Sequence, residues 1–408
     1  MRILLVNKFI FPKGGAETYT FDVGKMLEEH GHEVQYFGLE NEKNTVGNRI
    51  GSYVTNMDFS QGIKANLNAP FRIIYSREAR KKIRAVLDDF QPDVVHLNNI
   101  QYHLTPSIIL EINKWRKETR KECKIVYTTH DYQLVCPSHG MFDVNMKPCE
   151  RCLDGHYIHC LQTKCLKNSR AKSLLGTLDG YMWKYSKAYS YVDAYICCSF
   201  FLKSKLDTQK RFRDKTIGLH NFKKEMPHLD NIQKKGYVLE FGHLSRDKGT
   251  DTLLEVAKKM PNTEFVFIGY GPSVDKMKDI PNVNYLGFKN GEELYRIIAE
   301  AAISVCPSEQ YENCPYSVIE SVLLGTPVVG AKMGGIPELI ETGKTGELFE
   351  AGNVEDLMKA IKKILQTQDV LERYTKNCSQ AKYETTESYY IKLMKIYRGE
   401  KNVEQISS

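Results

Sequence analysis

The sequence predicts an α/β protein built as two Rossmann-like domains facing each other across a cleft. Three observations carry this. The 408 residues leave room for two separate cores. Short apolar runs alternate with amphipathic stretches along both halves, the pattern of parallel strands joined by crossover helices. A polar segment at 221–235 divides the pattern into two series. In the first series, apolar runs at 3–6, 34–37, 94–97, 125–128 and 194–197 read as buried strands, and helical periodicity marks 18–30, 72–90 and 105–120. In the second, strands read at 237–241, 265–268, 283–286, 303–306 and 327–329, with helices at 251–259, 291–299, 315–324 and 354–366. Domains of 1–222 and 236–380 follow, then a segment, 381–400, whose amphipathic stretch at 384–397 reads as one more helix. The tail, 399–408, is expected to fray.

Composition narrows the class. A hydrophobic fraction of 42% suits a globular chain, and no apolar run nears the roughly 18 residues of a membrane span. The opening Met1-Arg-Ile-Leu-Leu-Val-Asn7 reads as a strand and is too short for a signal sequence, so a cytoplasmic protein is expected. Net charge is +7, unevenly placed: residues 1–225 carry +11 and the remainder −4. Basic clusters at 77–84 and 114–121 suit an anionic partner such as the inner membrane face, to which the protein would attach peripherally. No nucleic-acid motif accompanies them.

The most informative segment runs from Glu312 to Glu320, followed by glycines at 325, 330, 334 and 335. A loop-to-helix path sets Glu312 before the helix and Glu320 two turns on, facing the same side. The backbone N–H groups of Asn313, Cys314 and the helix start at Pro315 then face an anion. Two carboxylates for two polyols, with a phosphate site between them, match the shape of a nucleotide-sugar. Residues 303–349 resemble the signature region of family 4 glycosyltransferases, the retaining GT-B family that uses nucleotide-sugar donors.

The resemblance extends over almost the whole chain and assigns roles. It implies an acceptor-binding first domain, a donor-binding second domain, and a C-terminal helix that returns to the first. Gly14 and Gly15, between the first strand and first helix, match a loop lying against the donor diphosphate. His130, at the end of the strand at 125–128, matches the histidine that hydrogen-bonds the transferring sugar, with Asp131 placed to orient it. Lys248 matches a diphosphate-binding lysine; His243 stands where the family has arginine, with Arg246 as the nearby substitute. Glu312 would hold donor sugar hydroxyls and Glu320 the ribose, and backbone near Phe288 and Lys289 would read the base. No Asp-x-Asp occurs, in keeping with catalysis without a metal. The expected reaction passes a sugar, from UDP by family habit, to a glycan or lipid-linked oligosaccharide in surface polysaccharide synthesis. The alternatives are a non-catalytic nucleotide-sugar-binding scaffold and a GT-B nucleotide-sugar 2-epimerase.

Cysteines concentrate in an insert, 136–165. Cys149, Cys152 and Cys165 with either Cys136 or Cys160 have the spacing of a structural Zn²⁺ site; free thiols and redox pairing are the other readings. His139, His156 and His159 are further donors in the same stretch.

Overall fold

The computed structural model describes residues 1–56, 69–224 and 226–400. Residues 401–408 of the tail lie outside them. The chain forms two compact units, one built mainly from residues up to His220 with the chain after Thr386, the other from Asn221–Thr385.

The first unit holds β1 (Arg2–Val6), β2 (Glu33–Phe37), β3 (Val94–Leu97), β4 (Lys124–Thr129), β5 (Ala194–Cys197) and β6 (Thr216–Gly218). They form one parallel sheet in the order β2-β1-β3-β4-β5-β6. Its helices are α1 (Gly15–Glu29), α2 (Ala69–Ile74), α3 (Arg77–Phe90), α4 (Ser107–Thr119), α5 (Ile158–Thr163), α6 (Arg170–Tyr185), α7 (Phe200–Leu206) and α8 (Lys210–Arg213). Ile3, Leu4, Leu5, Val94, Val95 and Ile125 are fully buried, as strands covered on both faces must be. Val6 pairs with Leu97 and Leu97 with Tyr127, so Asn7, Asn98 and His130 leave the sheet at the same edge.

The second unit holds β7 (Val238–His243), β8 (Phe265–Tyr270), β9 (Val283–Tyr285), β10 (Ile303–Cys306), β11 (Val328–Ala331) and β12 (Gly346–Phe349). These too are parallel, in the order β12-β11-β10-β7-β8-β9. Its helices are α9 (Thr250–Lys259), α10 (Gly291–Glu300), α11 (Tyr316–Leu323), α12 (Val354–Ile364) and α13 (Gln368–Cys378). The last helix, α14 (Thr386–Arg398), belongs to the first unit.

The helix expected at 72–90 is two helices. Ser76 takes an extended backbone and its hydroxyl accepts the Ala79 N–H, so α3 starts at a serine cap instead of continuing α2. The strands β6 and β12, three and four residues long, were not expected from the sequence.

Candidate active site

In the first unit, polar side chains gather where β1, β3 and β4 end, the edge at which parallel sheets bind ligands. His130 lies one residue beyond β4. Its Nε2 is 2.9 Å from Asn98 Oδ1, and its ring meets Tyr19 edge-on at 4.9 Å. Burial pulls the His130 pKa down to about 4, with Asp131 opposing, so the imidazole is neutral at pH 7. Behind it, His96 is fully buried between Tyr397 Oη and Thr128 Oγ1, each 2.7 Å away, and burial takes it to about 3. Asp131, expected to orient His130, bonds elsewhere as well. Its Oδ2 lies 3.4 Å from His139 Nδ1, and His139 Nε2 is 2.6 Å from Tyr102 Oη. Burial raises the Asp131 carboxyl, but His139, the Gln133 N–H and His130 together outweigh that and the net shift is downward.

Gly14 caps α1 and Gly15 is its first residue. At φ −165° the Gly14 backbone is extended, a conformation any residue adopts, and an added Cβ would meet Glu17 Oε2 at 3.5 Å. Glycine is therefore not required for folding at this position. What it supplies is an approach to the helix N-terminus with no side chain in the way.

In the second unit, three donors converge on Glu312 Oε1: Lys248 Nζ at 2.5 Å, Ser308 Oγ at 2.9 Å and Gln310 Nε2 at 3.2 Å. Burial lowers the Lys248 pKa, yet the charge and hydrogen bond of Glu312, with Cys306 and Asp247, together outweigh it and the net shift is upward. Two glycines make this geometry. Gly249 (φ 80°) follows the turn carrying Lys248, and a Cβ there would lie 1.9 Å from Pro307 O. Gly334 (φ 64°) packs on Glu312, whose carbonyl a Cβ would approach to 2.0 Å and which accepts the Gly335 N–H at 2.7 Å.

Asn313 and Cys314 precede the cap of α11 at Pro315; the Asn221 N–H reaches Cys314 Sγ at 3.3 Å. Glu320 sits on α11, and Lys223 Nζ lies 2.7 Å from its Oε1 and 5.4 Å from the Tyr316 ring. Lys223 was hidden in the sequence inside a polar segment with no periodicity.

His243 ends β7 and is exposed, in register with Tyr270 at the end of β8. Their rings are 5.4 Å apart, and Tyr270 is 6.4 Å from Phe288. Tyr270 and Phe288 are 58% and 64% exposed, an aromatic surface that sequence alone did not single out. Arg246 is exposed and lines a polar pocket of about 350 Å³ with Asp251, Thr252, Lys258 and Glu309.

In the insert, Cys160 and Cys165 lie 2.8 Å apart, Sγ to Sγ; the shared proton pushes Cys160 up and lowers Cys165 to about 7. Burial raises the Cys136 and Cys152 thiols above their ordinary value. No group of three or more His, Cys, Asp or Glu side chains among the described residues stands in a metal-binding arrangement. The other two histidines are engaged locally, His156 with Asp154 at 2.5 Å and His159 with Gln162 at 3.0 Å. The basic clusters are partly paired within the protein: Arg80 with Glu111, Arg84 with Asp88 and Glu118, Arg116 with Asp193, and Lys121 with Asp93. No helix among the described residues is long and apolar enough to cross a membrane.

The chain is 34% identical over 163 residues to the sulfoquinovosyl transferase SQD2 of Arabidopsis thaliana, covering 38% of this chain and 31% of the plant protein. It is 24% identical over 361 residues to an uncharacterized 42.6 kDa protein in the cps region of Klebsiella pneumoniae, covering 83% and 87% of the two chains. The crystal structure of Anabaena HepE in complex with UDP superposes with a TM-score of 0.62 at 18% identity, over 93% of this chain and 94% of that one. That likeness shows the GT-B fold. The Glycosyltransferase Family 4 profile matches residues 13–221 and the Glycosyl transferases group 1 profile residues 221–381. With its two sheets, its strand-end residues and both profiles in agreement, this chain belongs to glycosyltransferase family 4.

Proposed function

We propose that this protein transfers a sugar, with retention of configuration, from a UDP-sugar to a lipid-linked glycan during synthesis of a surface polysaccharide, at the cytoplasmic membrane face. The observation that carries the reading is the Lys248–Glu312 pair, a half-buried cation held beside a carboxylate at the strand ends of the second unit. The HepE complexes with UDP and UDP-glucose support the donor, and the cps-region relative supports the product class.

In the reaction, the bond from the anomeric carbon to the diphosphate oxygen breaks, and its electron pair leaves on the diphosphate. The acceptor hydroxyl oxygen bonds the same carbon on the same face and gives its proton to the departing diphosphate. Lys248, Arg-like in role but a point charge, meets the growing negative charge, helped by N–H groups at Asn313, Cys314 and the start of α11. In the first unit, Gly14 and Gly15 leave the α1 N-terminus open to a phosphate. Glu312 orients sugar hydroxyls and Glu320 the ribose. Tyr270 and Phe288 offer faces on which a base stacks, and exposed His243 is a weaker anion ligand than arginine. Neutral His130 hydrogen-bonds the sugar and carries no charge of its own. No residue is assigned to a catalytic metal.

The test is a thermal-shift and hydrolysis screen against UDP-, GDP- and ADP-sugars, with Lys248→Ala and Glu312→Ala beside the wild type. A UDP-sugar should raise Tm and be slowly hydrolysed by wild type, with each variant about 10²–10³-fold slower. No shift with any donor, or equal hydrolysis by the variants, would sink the reading. The anomer released, followed by NMR, decides retention.

A further inference from the structure

Helix α6 presents large apolar residues on both faces. Its inward face is small and polar over the first turns, where Ser173, Gly176 and Thr177 are buried, and ends on buried Trp183; a Cβ added at Gly176 or Gly180 would come within 2.4 Å of Leu166 or 2.8 Å of Tyr157. Its outward face is apolar as well. Leu174, Leu178, Met182 and Tyr185 follow one another at helical spacing and are 44%, 49%, 38% and 71% exposed. Ile158, on neighbouring α5, adds a further exposed aliphatic side chain. An amphipathic helix of a globular protein normally points such a stripe at the core. A contiguous exposed stripe marks a surface made to be covered.

Charge says by what. Between Ile158 and Lys187 the chain carries six cations, Lys164, Lys167, Arg170, Lys172, Lys184 and Lys187, against one acid, Asp179. Asp179 is turned to its own helix, accepting the Trp183 indole N–H at 2.9 Å. Lys167, Arg170, Lys172 and Lys187 are exposed. The covering surface is therefore apolar and anionic together. In the two basic clusters visible in the sequence, Arg80, Arg84 and Arg116 are spent on internal carboxylates.

We propose that α6 docks this unit on an anionic lipid bilayer, lying in the plane of the interface with Leu174, Leu178, Met182 and Tyr185 among the acyl chains and the rim cations on lipid phosphates. Apolar stripe, aromatic end and cationic rim are the combination that holds a helix in that plane. The inference rests on the membrane-face reading above, but needs no donor or acceptor to be tested, so its failure is distinct from failure of the transfer reaction.

Full-length protein is sedimented with phosphatidylcholine vesicles, with and without phosphatidylglycerol, beside Leu174→Ser/Leu178→Ser and Lys172→Glu/Lys187→Glu. Wild type should partition onto the anionic vesicles only. Each double variant should partition at least about tenfold more weakly while keeping the wild-type Tm, because all four side chains are exposed. Failure of wild type to bind anionic vesicles overturns the proposal. So does undiminished binding by the leucine variant. A wild type that is dimeric in solution and split by the leucine variant would assign the stripe to a second copy of the chain and overturn it too.

Discussion

His130 and His96 are neutral because burial makes their charged forms expensive, at about 4 and about 3 against an ordinary 6.5. The unfolded chain takes up protons below pH 6.5 that the folded chain refuses. Their contribution is fully present above pH 6.5 and is lost as pH falls toward 4 and then 3, at up to about 1.4 kcal/mol per pH unit for each group. Glu240 acts in the opposite sense. Burial lifts its carboxyl to about 8, and Thr250 Oγ1 donates to its Oε1 at 2.8 Å. The folded chain keeps a proton there that the unfolded chain sheds above 4.5, so stability drains away as pH rises from 4.5 through 8. Glu240→Gln keeps the threonine bond and removes the titration. It should raise Tm clearly at pH 8 and little at pH 5; equal shifts at both would show that Glu240 is ionised in the fold. None of these protonation states was legible in the sequence, because burial depth belongs to the packed sheet. His130, Lys248 and Glu312 could be picked out by strand ends and motif. Asn98, His139 and Lys223 could not, since each matters only through a partner distant in sequence or through the path of an irregular segment.

Among elements, legibility followed the strength of the local signal. The strands rich in Ile, Leu and Val were read close to their observed bounds, whereas β6 and β12 are too short to carry a period. The break between α2 and α3 turns on one serine cap inside an otherwise helical pattern. The loops divide by what their glycines do. Gly334→Ala forces a Cβ to 2.0 Å from the Glu312 carbonyl at a positive φ, so it should cost about 1–3 kcal/mol and slow turnover by about 10²-fold through displacement of Glu312. Gly14→Ala meets no such clash, so its Tm should match wild type and its effect should appear in KM for the donor. Tm and donor kinetics on the two variants check the contrast; a destabilised Gly14→Ala would refute it. For the cysteine insert, we propose that Cys149, Cys152 and Cys165, with Cys136 or Cys160, hold one structural zinc. Dialysed protein should retain about one zinc per chain, lost in Cys152→Ser. Metal-free wild type whose Tm is indifferent to added zinc would rule this out.

On the scale of the whole molecule, the first unit is not contiguous in sequence. The chain leaves it at His220 and comes back at Thr386 to supply α14. Tyr389, Leu393, Met394, Ile396 and Tyr397 of that helix are all buried. At about 1.5–3 kcal/mol for each large apolar side chain, their burial is worth of order 10 kcal/mol, as much as the entire stability of an ordinary domain. Two buried bonds join the helix to the sheet edge that carries His130: Tyr389 Oη lies 2.6 Å from Tyr19 Oη, and Tyr397 Oη 2.7 Å from His96 Nδ1. A chain ending at residue 385 should therefore lose the first unit as a whole and keep the second, whose core draws on β7, β8 and α10. Hydrogen exchange separates the outcomes. Amides of β1, β3 and β4 should exchange at nearly unfolded rates in the truncated chain, while those of β7, β8 and β10 stay protected. Protection retained in β1–β4 would mean that α14 covers a sheet stable without it. Tyr397→Phe is the graded counterpart: it keeps the packing, removes one bond to His96, and should cost about 1–3 kcal/mol. Because the sheet edge with His130 depends on a helix nearly 400 residues after β1, that edge is the last part of the molecule to be completed as the chain is made.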